Sequence, residues 1–87
     1  MKYFLYILYS RKLDRYYLGI SHNPDERLKY HNSFPKGWTV RGRPWELVFT
    51  KSFSDRTSAR FWELFIKKQK KRVLIEEIIS NNFEWNA

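Results

Sequence analysis

A run of seven aromatic and aliphatic residues, from Tyr3 to Tyr9, opens the hydrophobic pattern of the chain. The run is short for a helix and lacks the alternation of a strand with one solvated face, so it predicts a central β-strand. A polar stretch from Ser10 to Arg15 and an aromatic, β-branched segment from Tyr16 to Ile20 follow. This order predicts an antiparallel hairpin with a longer loop.

The pattern changes from strand to helix directly after this hairpin. Asn23 suits the N-cap, Pro24 suits the first helical position, and the acidic pair 25–26 complements the positive end of the helix dipole. In a helix that begins here, Arg27 and His31 are four residues apart and project from one face. The sequence therefore brings a guanidinium and an imidazole together near the end of a strand.

A third strand is predicted where apolar and polar positions alternate again. The segment from Trp45 to Thr50 has this alternation, with Trp45, Leu47 and Phe49 expected on one side. Further along, residues 73–79 have the apolar spacing of a short closing helix. The tail after that helix is mostly polar, and its aromatic residues are expected to dock.

The second long helix is predicted to begin at Ser54 as its N-cap and carries a carboxylate on its apolar stripe. The stripe consists of Ala59, Trp62, Glu63 and Ile66. A carboxylate in that position is costly unless it is paired, protonated or bound to a cation. A salt bridge from Glu63 to Arg27 or to a lysine competes with a metal-ligand role.

The balance of charge favours a polyanionic partner, with nucleic acid as the first candidate. The 87 residues have a net charge of +8 and a sequence pI near 9.9. A soluble basic domain without such a partner is the alternative. The absence of cysteine excludes disulfides and thiolate zinc sites, and no apolar run is long enough for a signal or a membrane span. A single domain over residues 1–87, without membrane contact and located in the cytoplasm, is expected.

Two basic segments are candidates for contact with phosphates. The segment from Ser33 to Arg43 has no acidic residue and includes Trp38, although its glycines and prolines are also typical of a connector. The run from Lys67 to Arg72 has cations that also suit the end of a helix. The candidate nucleic-acid-binding residues are Lys36, Arg41, Arg43, Lys67, Lys68, Lys70 and Lys71.

Four pieces of this sequence, in order and at matching spacing, resemble the GIY-YIG nuclease family. The resemblance covers residues 3–79 and is greatest to small single-domain members, which look like the isolated N-terminal domain of the bacterial nucleotide-excision incision subunit. The matching pieces are Phe4-Leu5-Tyr6, Tyr17-Leu18-Gly19, Arg27-x-x-x-His31 and Ala59-x-x-x-Glu63-x-x-Ile66-Lys67.

The resemblance implies an α+β fold, with a three-stranded antiparallel sheet flanked by about three helices, and hydrolysis of DNA phosphodiester bonds. It implies that Glu63 binds one Mg²⁺ or Mn²⁺ ion and that Tyr17 activates the attacking water. Tyr6 would position the water or the phosphate, and Arg27 would hold the scissile phosphate. His31 would relay a proton or orient Tyr17. A role in DNA repair or recombination is expected.

The sequence departs from the family pattern at two places and leaves other functions open. Phe4 and Leu5 stand in place of Gly-Ile, and Ile20 stands where some members carry a lysine. The same residues are compatible with a nucleic-acid-binding or accessory module that cleaves little DNA, with an inactive polar core cluster, or with RNA as substrate. Because family members often use an appended DNA-reading domain, an accessory or targeting partner is also expected.

Overall fold

The computed structural model describes residues 2–33 and 37–85, apart from the side chain of Trp38. Over these residues the chain forms three strands, three α-helices and a short 3₁₀ helix. In chain order they are β1 (Tyr3–Ser10), β2 (Arg15–Ser21), α1 (Pro24–Ser33), the 3₁₀ helix (Trp38–Gly42), β3 (Trp45–Phe53), α2 (Arg56–Gln69) and α3 (Arg72–Ile79). None of the described helices is both long and apolar enough to cross a membrane.

The three strands form one antiparallel sheet in the order β2-β1-β3. The strand β1 is central because its side chains are apolar or aromatic on both faces, and residues 5–8 are almost fully buried. This architecture confirms the predicted α+β fold with a three-stranded antiparallel sheet and flanking helices.

Each face of the sheet has its own hydrophobic cluster. On the face that we call the core face, strand residues pack against α2 and α3, and the buried members are Leu5, Ile7, Leu18, Trp62, Ile66 and Ile78. On the opposite face, which we call the α1 face, Tyr6, Leu8 and Trp45 form a smaller cluster, and Leu28 of α1 packs against it. The candidate tyrosines belong to this second, smaller cluster.

A β-bulge in β3 overturns one prediction. The register changes from Ile7 opposite Phe49 to Leu8 opposite Leu47, so Val48 is an extra residue in β3. The bulge reverses the alternation, and Phe49 packs on the core face whereas Leu47 packs on the α1 face. Leu47 shares the α1 face with Trp45, as predicted, but the prediction that Phe49 also lies on that side was wrong.

The helix ends agree with the predicted capping except at α2. The side-chain oxygen of Asn23 accepts a hydrogen bond of 3.1 Å from the backbone N–H of Glu26, as predicted for the N-cap of α1. In α2 the cap is Asp55 and not Ser54, because the Asp55 carboxylate accepts a 2.7 Å bond from the Ser58 N–H. Hydrogen bonding by Ser58 also lowers the pKa of Asp55.

The basic run from Lys67 to Arg72 spans the junction between α2 and α3. The helix α2 ends at Gln69, Lys70 adopts the left-handed conformation with φ 52°, and Lys71 precedes the first residue of α3. Beyond α3 the predicted docking of the tail aromatics is confirmed. Phe83 and Trp85 pack against the core-face cluster.

A side-chain amide joins the end of α1 to the start of β3. The Asn32 amide nitrogen donates to the Trp45 carbonyl at 3.0 Å, and its oxygen accepts from the Trp45 N–H at 2.6 Å. The two bonds fix the position of α1 over the α1 face of the sheet.

We expect Asn32→Ala to lower the free energy of unfolding by about 1–3 kcal/mol, because it leaves two partly buried backbone groups of Trp45 without this partner. Ser33→Ala, which removes an exposed bond to the Lys29 carbonyl, should change it by no more than about 0.5 kcal/mol. Urea unfolding monitored by tryptophan fluorescence measures both. Equal effects of the two substitutions would contradict a specific role for the amide.

Candidate active site

Two tyrosines from the two strands of the hairpin lie side by side on the α1 face. Tyr6 pairs with Gly19 and Leu8 pairs with Tyr17 across β1 and β2, so Tyr6 and Tyr17 point to the same side of the sheet. Their ring centroids are 6.3 Å apart. Tyr6 is 1% exposed, whereas Tyr17 is half-buried on the edge strand. Of the two, Tyr17 is the more accessible from solvent.

Gly19 provides the space that the Tyr6 ring occupies. A Cβ atom at position 19 would stand 2.6 Å from the Tyr6 hydroxyl oxygen and 2.7 Å from Cζ, which is closer than van der Waals contact allows. The glycine of the Tyr17-Leu18-Gly19 piece therefore has a steric role, since it lets the phenol lie flat over the neighbouring strand.

The helix α1 brings Arg27 and His31 to the same place, as their spacing predicts. His31 Nε2 is 3.5 Å from the Tyr6 hydroxyl oxygen, and the imidazole centroid is 4.5 Å from that of the Tyr17 ring. Arg27 donates a hydrogen bond to the Tyr6 hydroxyl, and its guanidinium carbon lies 4.4 Å from the centroid of the Tyr30 ring.

These contacts form one continuous chain of hydrogen bonds. The second imidazole nitrogen of His31, Nδ1, is 3.4 Å from the Thr39 hydroxyl on the 3₁₀ helix. All four groups are satisfied when Arg27 donates to Tyr6, Tyr6 donates to His31 Nε2, and His31 Nδ1 donates to Thr39. We assign this tautomer from the partners. Trp45 holds the 3₁₀ helix in turn, since its indole N–H donates to the Thr39 carbonyl at 2.7 Å.

Burial is the main cause of the protonation states of Tyr6 and His31. Burial raises the pKa of Tyr6 above its ordinary value, while the hydrogen bond from Arg27 opposes the rise. The phenol is therefore protonated at neutral pH. Burial lowers the pKa of His31, and the positive charges of Arg27 and Arg43 lower it further. A neutral imidazole that is 3% exposed is suited to orient Tyr6 and is shielded from bulk water.

Glu63 is buried, as its place on the apolar stripe predicts, and both carboxylate oxygens are paired. Arg60 Nη1 lies 2.8 Å from Oε1, and Lys67 Nζ lies 3.1 Å from Oε2. The carboxylate side chain is 6% exposed, whereas those two cations are about half exposed. The charge of Glu63 also contributes to the raised pKa of Tyr6, after burial and the charge of Tyr17. Glu63 thus lies within electrostatic range of Tyr6.

The ion pairs of Glu63 answer part of the question that the sequence left open. A lysine is one partner, as the salt-bridge alternative proposed, but the other is Arg60 and not Arg27. Both partners follow from helix geometry, because they lie three residues before and four residues after Glu63. Over residues 2–33 and 37–85, no three histidine or carboxylate side chains converge to hold a metal.

The candidate phosphate-binding cations fall into different environments. Lys36 lies outside the described residues, and Arg41 is exposed on the 3₁₀ helix. Arg43 turns inward, since its Nε donates to the His31 carbonyl at 2.8 Å and its Nη2 is buried without a hydrogen-bond partner in the described structure. In the described structure Arg43 therefore binds the backbone of α1. At the other segment, Lys67 pairs with Glu63, and the exposed cations are Lys68, Lys70 and Lys71.

Ile20, the residue that replaces a lysine in the family pattern, is half-buried on the core face. It lies opposite Leu5 in the sheet and packs with the apolar cluster. Its side chain is therefore on the other side of the sheet from Tyr6 and contributes nothing to the hydrogen-bonded chain.

Comparison with known proteins identifies the family. The family model of the GIY-YIG catalytic domain matches residues 2–76. The chain therefore belongs to the GIY-YIG family, a family of nucleases. It is 36% identical over 80 residues to the UPF0213 protein YazA of Bacillus subtilis (strain 168), an alignment that spans 86% of this chain and 79% of the relative.

The fold also matches a solved structure. The solution NMR structure of a UPF0213 protein from Bacillus halodurans matches with a TM-score of 0.57 and 32% identity. The match covers 92% of this chain and 84% of the other. The predicted family and the predicted fold are both confirmed.

The neutral state of His31 gives the stability of the domain a pH dependence. Because folding lowers the pKa of His31, the unfolded chain binds more protons below the ordinary histidine pKa of about 6.5. We expect the free energy of unfolding to fall as the pH drops below that value, by no more than about 1.4 kcal/mol per pH unit from this residue.

The measurement is urea unfolding at pH 7.5 and pH 5.5. The loss between the two should largely disappear in His31→Phe and persist in His22→Asn, which alters the exposed histidine. The same loss in all three chains would show that another group is responsible.

Gly19→Ala should lower the free energy of unfolding by about 1–3 kcal/mol, because the added methyl overlaps the Tyr6 ring. In a Tyr6→Leu background the same change should cost much less, since the ring that it meets is absent. A double-mutant cycle by urea unfolding measures the coupling. A coupling of zero would mean that the glycine does not serve to seat the tyrosine.

Proposed function

We propose that this protein is a divalent-metal-dependent endonuclease that hydrolyses DNA phosphodiester bonds, acting in the cytoplasm in DNA repair or recombination. The observation that supports it best is the convergence of Tyr6, Tyr17, Arg27 and His31 on the α1 face, within electrostatic range of Glu63. A buried polar network is expensive in so small a domain, which favours a functional use for it.

Two of the site residues contact the substrate, and two others position those residues. Arg27 has five N–H donors, so after its bond to Tyr6 it retains donors for a phosphate and for the negative charge that grows on it during hydrolysis. Tyr17, half-buried at the sheet edge, is the candidate for orienting and deprotonating the attacking water. Tyr6 and His31 are buried and act as positioning residues for Arg27 and Tyr17.

The residues at Glu63 fit a hard divalent cation. Mg²⁺ binds through one or two carboxylates and completes its coordination with substrate phosphate oxygens and water, so a single buried glutamate is a suitable protein ligand. Arg60 and Lys67 neutralise this carboxylate in the described structure, and their half-exposed side chains have room to move from it to a phosphate. When bound, the ion stabilises negative charge on the phosphate and on the leaving oxygen.

The second candidate function is a nucleic-acid-binding module that cleaves little DNA. The pairing of both Glu63 oxygens with cations favours this alternative, because two ion pairs already satisfy the carboxylate without a metal. The two functions differ in what the loss of the Glu63 charge does to cleavage.

For the nuclease, Glu63→Gln should reduce Mg²⁺-dependent nicking of branched and linear DNA by roughly 100-fold or more, because it removes the charged ligand, while DNA affinity stays within a few-fold. EDTA should have the same effect on the wild-type chain. Nicking of a supercoiled plasmid and of labelled flap and linear duplexes measures cleavage, and matched RNA substrates test the alternative polymer.

The matched control is Glu77→Gln, which changes an exposed carboxylate on α3 and should leave nicking unchanged. Cleavage that is unaffected by Glu63→Gln would contradict the proposed site. Tight DNA binding by the wild-type chain with no cleavage at any Mg²⁺ or Mn²⁺ concentration would favour the binding module.

A further inference from the structure

A cavity of about 510 Å³ lies between the edge strand β2 and the junction of α2 and α3. Its apolar wall is formed by Tyr16, Leu18, Ile66 and Ile75, and cations from the basic run form its rim. Its volume is within the range of roughly 300–1,000 Å³ in which proteins hold small organic groups. The cavity therefore has the size and the mixed lining of a ligand site.

Some cations at the rim are already paired with carboxylates, and others are not. Lys67 is paired with Glu63, and Arg72 is paired with Asp14 and Glu76. Asp14, the one carboxylate among the described residues that line the cavity, is thus already neutralised. Arg15, Lys70 and Lys71 also line the cavity, and none of them forms an ion pair with a carboxylate of the described chain. A ligand here meets three available positive charges above an apolar wall, two of them on the adjacent residues Lys70 and Lys71.

The cavity shares two lining residues with the candidate active site, although its apolar wall is on the core face of the sheet. Tyr17 lines the cavity and also contacts Tyr6 and His31. Lys67 lines it as well and binds the Glu63 carboxylate. A nucleic-acid strand that has one phosphate at Arg27 and Tyr17 and passes over the edge strand β2 would bring a neighbouring nucleotide to the cavity.

We propose that this cavity is a subsite for one unpaired nucleotide of the DNA substrate, with the base against the apolar wall and its phosphate at Lys70 and Lys71. The inference rests on the proposed action on DNA. A base that is stacked and paired in a duplex is not available to such a cavity, whereas an unpaired base enters it at little cost. The preferred substrate is therefore DNA with an unpaired nucleotide beside the scissile bond.

The chain offers variants that remove the charges without harming the fold. Lys70 occupies a left-handed helix cap, where glycine is the favoured residue, and Lys71 is an N-cap without a side-chain cap bond, where serine is favoured. The double variant Lys70→Gly/Lys71→Ser should be as stable as the wild type. Lys2→Ser/Lys29→Ser, which alters two exposed lysines that do not line the cavity, is the control with the same net charge.

The test is DNA binding without metal, in EDTA, by fluorescence anisotropy. Three duplexes differ at one position, which carries a paired adenine, an unpaired adenine or an unpaired abasic unit. We expect the wild-type chain to bind the unpaired adenine on the order of tenfold more tightly than the abasic unit, because only the base buries apolar surface in the cavity.

Ile75→Trp, which fills the cavity from α3, should abolish this preference and leave affinity for the paired duplex unchanged. Lys70→Gly/Lys71→Ser should lower the affinity for all three DNAs and reduce the slope of log affinity against log salt by roughly 0.9 for each phosphate that the variant no longer neutralises. The lysine control should leave this slope close to that of the wild type. Thermal unfolding confirms that each variant is folded.

Equal affinity for the adenine and the abasic unit would overturn the proposal and leave a phosphate site only. Persistence of the base preference in Ile75→Trp would overturn it as well. Because binding is measured without metal, these outcomes are separate from a failure of the nuclease proposal. A chain with the base preference but no cleavage would retain the subsite and lose the enzymatic function.

Discussion

The hydroxyl of Tyr6 is the group on which the rest of the candidate site depends. It is buried on the central strand, accepts from Arg27 and lies 3.5 Å from the His31 imidazole. A buried phenol without partners would be costly, so the helix that carries Arg27 and His31 must lie where those partners reach it. The requirement fixes α1 over the sheet and, through Thr39, fixes the 3₁₀ helix as well.

The two faces of the sheet differ in composition, since one holds most of the hydrophobic core and the other holds the candidate site. The core face supplies most of the buried aliphatic and aromatic surface, through α2, α3 and the docked tail. The α1 face has fewer buried residues and holds the polar chain. Glu63 connects the two, because α2 packs on the core face and yet places this carboxylate within electrostatic range of Tyr6. A domain of 87 residues can thus hold a polar site without losing its hydrophobic core.

The correct predictions about the candidate site residues rest on local helical periodicity. The spacing of four residues was enough to place Arg27 and His31 on one face, and the apolar stripe of α2 was enough to bury Glu63. Alternation failed at Phe49, because the bulge at Val48 depends on the register of β3 against β1. The register depends on how the two strands pair, so the sequence of either strand alone does not predict it.

Contacts between residues on separate helices and strands could not be predicted from the sequence for the same reason. Thr39 holds His31, and Asn32 holds Trp45, but neither pair has a spacing that helix or strand geometry would indicate. Arg60 is different, because a cation three residues before Glu63 on a helix is a readable partner. The sequence thus identified the residues of the candidate site, whereas the residues that orient them became evident only in the folded chain.

The proposed nuclease function requires that Glu63 and the tyrosine pair form one metal-dependent site. Paramagnetic relaxation by Mn²⁺, measured by NMR in the presence of a DNA that resists cleavage, tests it most directly. We expect Mn²⁺ to broaden selectively the resonances of Tyr6, Tyr17 and Glu63, and Glu63→Gln to abolish the broadening. Broadening centred elsewhere in the domain, or broadening unchanged by Glu63→Gln, would contradict it.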